Sequence, residues 1–305
     1  PLTYAAAIEQ GMTFGDIIWD TPTEMNGYTP LNYDRSFHGP VRIRAALANS
    51  YNIPAVQTLR QIGVPSLLEI ARRFGIESLG DDPSQYGVSL TLGGGDITLL
   101  ELTRAYATFA NGGSYVPTTA ILCILDNDDN MLYQYENGCP RGRATERTVN
   151  RGGYGTQVLD PRIAFVLSDI LADNIARSPA MGSNSPLNTG SLRTSVKTGT
   201  TDNFKDNWTV GFTRNVAVGV WVGNSNGDPM TGNTSGLTGA APIWNTVINS
   251  IYNNSAMLDQ FASNGSLLPD QLTPPSGVSQ QTICDINALR EPALGCASTV
   301  SDTGP

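Results

Sequence analysis

Two apolar runs late in the chain restrict its architecture more than any other feature. Residues 207–213, NWTVGFT, and 216–224, VAVGVWVGN, are β-branched and aromatic stretches separated only by Arg214 and Asn215, which is the pattern of a hairpin. A strand with one wet face alternates apolar and polar side chains. These two are nearly apolar on both faces, so both faces need cover, and the hairpin belongs inside a sheet clad in helices. Helical patterns fill the chain before it and return after it at about 239–253. Helices first, antiparallel strands late and a helix last give an α+β layer fold.

The helical segments carry their own start and stop signals. PLTYAAAIEQG reads as a helix already under way and closed by Gly11. Residues 39–63 predict a helix, a polar break at Asn49–Asn52 and a second helix. VPSLLEIARRFG puts Leu67, Ile70, Ala71 and Phe74 on one face and stops at Gly75. Thr98 and Glu101 stand at capping-box spacing before an apolar face of Leu102, Ala105, Tyr106 and Phe109. Residues 116–135 read as two strands around DNDDN, 137–157 as a Gly/Arg-rich loop, 161–176 as helix, and everything beyond about 256 as an irregular extension.

Composition narrows the function. A net charge of −9 over 305 residues argues against nucleic acid or an anionic membrane surface as partner. The single histidine, His38, and the lack of any C-x-x-C pair leave no zinc-site pattern, and no metal or cofactor is expected. The four cysteines, at 123, 139, 284 and 296, permit three pairings. Cys284 and Cys296 close a short loop in the Pro/Ser-rich tail and are the first expected disulfide; Cys123 with Cys139, across the 116–139 hairpin, is the second. Free buried thiols are the alternative, above all for Cys123 between apolar neighbours. Disulfides would place the chain in an oxidising compartment.

Positive charge in this chain is almost all arginine: sixteen, against two lysines, Lys197 and Lys205. Lys197 opens K-T-G-T at the end of a strand-like run. An ammonium is a compact point charge that can lose its proton, as a guanidinium cannot. Ser50-Tyr51-Asn52 forms a second polar break, at the joint between two helices. S-x-N and K-T-G are short, weak motifs alone. The longer blocks YTPLNYDRSFHGPVRIRAALANSYNIPAV, LGGGDITLLELTRAYATFANGG, LADNIARSPAMG, VKTGTTDNFKDNWTVGFTRNVAVGVWVGN and GAAPIWNTVI follow one another as in the transpeptidase domain of class A, bifunctional penicillin-binding proteins, which the chain resembles from residue 1 to about 250.

The resemblance implies a β-lactamase/transpeptidase-like fold, with a five-stranded antiparallel sheet flanked by helices, over 1–255, and leaves 256–305 as an extension. It implies a D,D-transpeptidase that acylates a serine with D-Ala-D-Ala stem peptides, takes β-lactams as covalent inhibitors, and works on the extracytoplasmic face of a bacterial membrane. A glycosyltransferase domain and a membrane anchor would belong to the full-length protein. Lys197 would be the second ammonium of the site, Ser50 a proton relay, and Asn52 a clamp on the substrate peptide. Thr198, Gly199, Thr200 and Thr201 would form the substrate-binding strand end, with the Thr200 N–H in the oxyanion hole. The family's S-x-x-K precedes a helix like PLTYAAAIEQG, so the nucleophile and its base are expected upstream of residue 1; no S-x-x-K occurs in the 305 residues.

Two other readings share part of this pattern. A serine β-lactamase would need a water-activating carboxylate, and no E-x-x-L-N stretch precedes K-T-G. A non-catalytic peptidoglycan- or β-lactam-binding module would have lost the serine. Outside the motifs, His38 is expected to be structural, Asp202, Asn203 and Asp206 to form a solvated turn, and Tyr106, Phe109 and Trp221 to pack in the core.

Overall fold

The computed structural model describes residues 1–25, 27–121, 123–128, 130–134, 155–231, 234–261, 266–286 and 299–304. Helix α1 (Leu2–Glu9) runs through its core, with Thr3, Tyr4, Ala5, Ala6 and Ala7 all buried. A helix buried round most of its circumference lies inside a protein, and the run of alanines lets neighbours approach closely. The chain leaves α1 through Gly11 at φ +99°, a backbone that glycine adopts without Cβ strain. Strand β1 (Ile18–Asp20) then pairs with β2 (Gly39–Val41), so the first residues of the expected helical stretch are a strand.

Helices α2 (Ile43–Ala48), α3 (Asn52–Ile62) and α4 (Val64–Arg73) follow, and α3 and α4 both pack on α1. Helix α5 (Leu99–Ala110) starts at the expected capping box, with Thr98 and Glu101 bonded reciprocally. Burial would raise the Glu101 carboxyl, but hydrogen bonds from Ser78, Thr98 and Glu77 prevail and hold it down to about 2. Short strands β3 (Ser114–Tyr115), β4 (Cys123–Leu125), β5 (Met131–Gln134) and β6 (Thr156–Gln157) pair as β3–β6 and β4–β5. The predicted loop at 137–157 lies outside the described residues up to 154. Helix α6 (Pro161–Ala172) stops at Asp173, whose side chain accepts from the N–H groups of Ile175 and Ala176 to start α7 (Asn174–Met181). Two helices therefore stand where one was expected.

The main sheet contains β7 (Ser195–Thr200), β8 (Asp206–Phe212) and β9 (Ala217–Gly223), antiparallel in that order. Two glycines explain its close cover. A Cβ on Gly219 would collide with Thr103 of α5, and one on Gly211 would come within 2.5 Å of the Trp244 ring in α8 (Ala241–Tyr252). Gly211 pairs with Val218 and Gly219 with Val210, so the two point to opposite faces. Among the described residues the sheet has three strands, where five were expected. The other strand pairs are two to six residues long, stand apart from it, and add no strand to the outer edge of β9.

Among its described residues the extension carries regular structure where none was expected. After α9 (Ser255–Leu258), β10 (Ser279–Cys284) and β11 (Thr299–Gly304) pair in an unbroken ladder from Ser279–Gly304 to Cys284–Thr299. SQQTIC and TVSDTG are too polar to show a hydrophobic period, so pairing had no sequence signal. Arg44 of α2 ties this ladder down, donating to Asp302 at 2.5 Å, Asp169 at 2.9 Å and Asp173 at 3.0 Å. Cys123 and Cys284 each take part in a disulfide; Cys139 and Cys296 lie outside the described residues. Mass mapping of the non-reduced protein is expected to return Cys284–Cys296 and Cys123–Cys139; any other pairing would reject that assignment.

The break after α2 has a defined geometry. Ser50 N–H donates to Leu47 C=O at 3.2 Å and Tyr51 N–H to Ala46 C=O at 3.0 Å, the two bonds of a Schellman helix stop. Such a stop puts its turning residue in the left-handed region, usually as glycine, and Ser50 sits there at φ +60°. A side chain in that region costs about 1–2 kcal/mol. Ser50→Gly and Ser50→Ala both lose the hydroxyl, and only glycine relieves the backbone. The glycine variant should therefore be more stable than the alanine variant to urea by about 1 kcal/mol; equal stability would mean that no strain resides there.

Candidate active site

Three distant segments meet where β7 ends. The Lys197 ammonium donates to the Ser50 hydroxyl at 2.6 Å and to Thr198 C=O at 2.8 Å. Ser50 comes from the stop after α2, and Pro1 stands at the head of α1. Residue 1 lies within electrostatic reach of Lys197, so the start of α1 borders the pair. The structure thus brings Ser50 and Lys197 into contact beside the first turn of the central helix.

The Lys197 ammonium is itself held down to about 8 from its ordinary 10.5, by burial first and then by the Arg177 guanidinium. Arg177 was not singled out from the sequence. It lies on α7, is 4% exposed, and donates to Leu171 C=O at 2.9 Å and Val196 C=O at 3.4 Å. Its Nε finds no partner. Burial lowers Arg177 to about 10, and the Asp173 charge offsets part of that. The same helix fixes the serine side of the site, because Asn49 donates to Ala176 C=O at 2.8 Å and accepts from Ala180 N–H at 3.0 Å. An arginine in a helical block gives no local sign that its guanidinium will be buried under a lysine.

The remaining motif residues have distinct surroundings. The Thr200 hydroxyl accepts from Gly236 N–H at 2.9 Å, which leaves its own proton to donate elsewhere. Gly236 presses against the backbone of Gly199 and Trp208, where a Cβ would collide. Thr201, grouped with the substrate-binding residues from sequence, instead donates its hydroxyl to Asp206 at 2.9 Å and accepts from Asp206 N–H at 2.8 Å. It staples β7 to β8. Asp206 also accepts from the Trp221 indole at 2.9 Å, so it does not belong to a freely solvated turn. Trp221 is 38% exposed, unlike the buried Tyr106 and Phe109; it corrects the packing expectation because β9 leaves that end of its face open.

Asn52 heads α3, with its side chain donating to Leu31 C=O at 2.8 Å and its N–H to Asn32 at 2.8 Å. It lies two residues beyond Ser50 and makes no hydrogen bond to Lys197 among the described residues. His38 stacks on Tyr51, between the two motif residues, at 3.9 Å between ring centroids. Among the described residues no group of three or more His, Cys, Asp or Glu could hold a metal. A cavity of about 410 Å³ opens between Met12, Phe14, Ile163 and Ile283, and neither motif lines it.

The lysine shift has a pH signature. Between about pH 8 and 10.5 the unfolded chain keeps the Lys197 proton that the folded chain has lost, so stability rises with pH there, by up to about 1.4 kcal/mol per unit. Lys197→Met should lack that rise. With only two lysines, ¹³C-lysine NMR resolves the titration directly. Arg177→Met should move the Lys197 midpoint upward, and an unmoved midpoint would assign the shift to burial alone.

Residues 1–249 match the family model described as the penicillin-binding protein transpeptidase domain. Penicillin-binding protein 1A of Neisseria lactamica is 33% identical over 253 residues, 80% of this chain and 29% of that protein. Penicillin-binding protein 1C of Escherichia coli is 28% identical over 92% of this chain and 32% of its own length. The chain therefore spans about a third or less of these relatives. Among solved structures, penicillin-binding protein 1A from Haemophilus influenzae aligns over 100% of this chain and 46% of its own with a TM-score of 0.75 at 24% identity. PonA1 from Mycobacterium tuberculosis, solved in complex with penicillin V, aligns over 82% of this chain and 67% of its own with a TM-score of 0.67 at 21% identity. Fold, motif order and family model agree: the chain belongs to the penicillin-binding protein transpeptidase family.

Proposed function

We propose that this chain is the D,D-transpeptidase unit of a bifunctional penicillin-binding protein, working through a serine acyl-enzyme on D-Ala-D-Ala stem peptides. The observation that carries this reading is the 2.6 Å contact of Lys197 with Ser50 at the head of α1. The nucleophilic serine and its base lysine would lie one helical turn before Pro1, on the N-terminal continuation of α1, where a spacing of three puts both on one face. The base takes the serine proton, and the serine oxygen bonds to the carbonyl carbon of the penultimate D-Ala. The C–N bond to the terminal D-Ala then breaks, and its amine leaves with a proton passed through Ser50. A stem-peptide amine attacks the ester, forms the cross-link and returns the serine its proton.

Each motif residue has a place in that sequence. With a pKa of about 8, Lys197 is mostly protonated at pH 7; it donates to Ser50 and supplies positive charge toward the substrate carboxylate. Thr198 and the free proton of Thr200 would bind that carboxylate, beside a Gly199 backbone fixed by Gly236. The Thr200 N–H would stabilise the oxyanion, and Asn52 would hold the donor peptide group. Thr201 serves this strand end by position, through its bonds to Asp206. Residues 1–255 form the catalytic unit and 256–305 an extension.

The disulfide-bonded cysteines favour the extracytoplasmic side of the membrane. No helix among the described residues is long and apolar enough to cross it, so an anchor, like a glycosyltransferase domain, would belong to other parts of the full-length protein. β-Lactams would trap the acyl-enzyme.

In the full-length protein, Lys197→Ala should slow acylation by a fluorescent penicillin by about two orders of magnitude or more, the scale for loss of one positioned electrostatic or proton-transfer group. Unchanged kinetics would overturn the role of Lys197. The 305 residues alone should take no label, and an N-terminal extension of about one turn should restore labelling through its serine. Stoichiometric labelling of the unextended chain would place the nucleophile elsewhere.

A further inference from the structure

The Ser50-Tyr51-Asn52 loop does not hold its own shape. Tyr51 precedes α3 at the cap position and gives that helix no side-chain cap. The capping acceptor comes instead from Asn32, whose Oδ1 takes the N–H groups of Asn52 at 2.8 Å and Ile53 at 3.3 Å. Asn32 is oriented by Asp20, to whose two oxygens its Nδ2 donates at 2.9 and 2.8 Å. Asp20 is fully buried, and its carboxylate also accepts His38 N–H at 3.1 Å and faces His38 Nδ1 at 2.6 Å. The other ring nitrogen faces Asp34 at 3.1 Å. Each ring nitrogen thus faces a carboxylate oxygen.

The imidazole is thereby fixed at both nitrogens, and its flat face meets the Tyr51 ring at 3.9 Å with 14° between planes. Rings stacked this closely restrain each other's position. Tyr51 follows directly on Ser50, which is in a left-handed backbone that other conformations would relieve. A hydroxyl displaced by even 1 Å would lose its bond to Lys197.

We infer that His38 is a positioning residue for the reaction: clamped between Asp20 and Asp34 and stacked on Tyr51, it keeps the Ser50 hydroxyl aimed at Lys197. This rests on the reading of Ser50 and Lys197 as acylation-site residues. Its effect falls on proton transfer and leaves the affinity of the encounter complex alone, because the contacts of His38 among the described residues are to Tyr51, Asp20, Asp34 and Asn32 and none is to the strand end that would bind the carboxylate.

The test measures penicillin acylation of the full-length protein by stopped flow, separating initial binding from the acylation rate constant. His38→Ala should lower the rate constant about tenfold per folded molecule with the binding constant within twofold. Tyr51→Ala should do the same, and the double variant should be no slower than either single one, since both act through one contact. His38→Phe, which keeps the stack, should recover part of the rate. Asp34→Asn, at a half-exposed position, should slow acylation two- to threefold, and it decides the matter with Tyr51→Ala if His38→Ala fails to fold. A wild-type rate constant in the folded variants, or losses that multiply in the double variant, would overturn the inference. Lys197→Ala serves as the reference: normal acylation there would reject the site itself, whereas its loss beside unaffected His38 variants would reject only the part given to His38.

Discussion

The contact between the Lys197 ammonium and the Ser50 hydroxyl joins residues 147 positions apart in sequence, and much of the molecule serves to make it. Lysine arrives on β7, whose register on β8 sets Lys197 against Val210 and Gly199 against Trp208. Serine arrives at a helix stop that glycine would make with less strain. The hydroxyl at that turn is the group that Lys197 contacts, so local backbone preference yields to the site. Strain of this kind persists only where neighbours over-determine the backbone. Here they include the Schellman bonds behind Ser50, Asn49 on α7, and Asn32 at the start of α3.

Helix α7 braces both sides of the contact. Through Asn49 it holds the end of α2, and through Arg177 it reaches the β7 backbone and places a second positive charge under Lys197. A buried guanidinium without a paired carboxylate is costly to fold around. Its neighbour Asp173 caps α7 and shares Arg44 with Asp169 and Asp302. The acids in this region are thus engaged in capping and with Arg44 and Arg193, and Asp173 offsets only part of what burial does to Arg177. The Arg177 charge and burial act in the same direction on Lys197. The carboxylate of the proposed stem-peptide substrate would gain from the remaining positive charge, in a chain whose total is −9.

Much of the fold was legible in the sequence because its signals are local. The two-sided apolar hairpin marked a covered strand pair, and Gly11, Gly75 and the Thr98–Glu101 box marked helix ends where the structure has them. The failures share a cause. The break at Asp173 is an N-cap inside an otherwise helical pattern. The β10–β11 ladder is polar on both strands. The number of strands in the main sheet depends on what pairs with the edge of β9, and no residue in β9 itself records that.

The same division holds for the site. Residue identity and order alone showed which family the chain belongs to, and marked Ser50, Asn52, Lys197 and the threonines that follow, because such motifs are short stretches whose spacing is fixed by one helix stop or one strand. Tertiary structure decided which of them touch: Ser50 meets Lys197, Thr200 is oriented by Gly236, and Thr201 is bound to Asp206. It also brought in Arg177, which the sequence did not single out, and His38, which looked structural there. Their influence acts through burial and through partners 13 to 20 residues away, Tyr51 and Asp20 for His38 and Val196 and Lys197 for Arg177, and those are set only when the helices and the sheet close on one another.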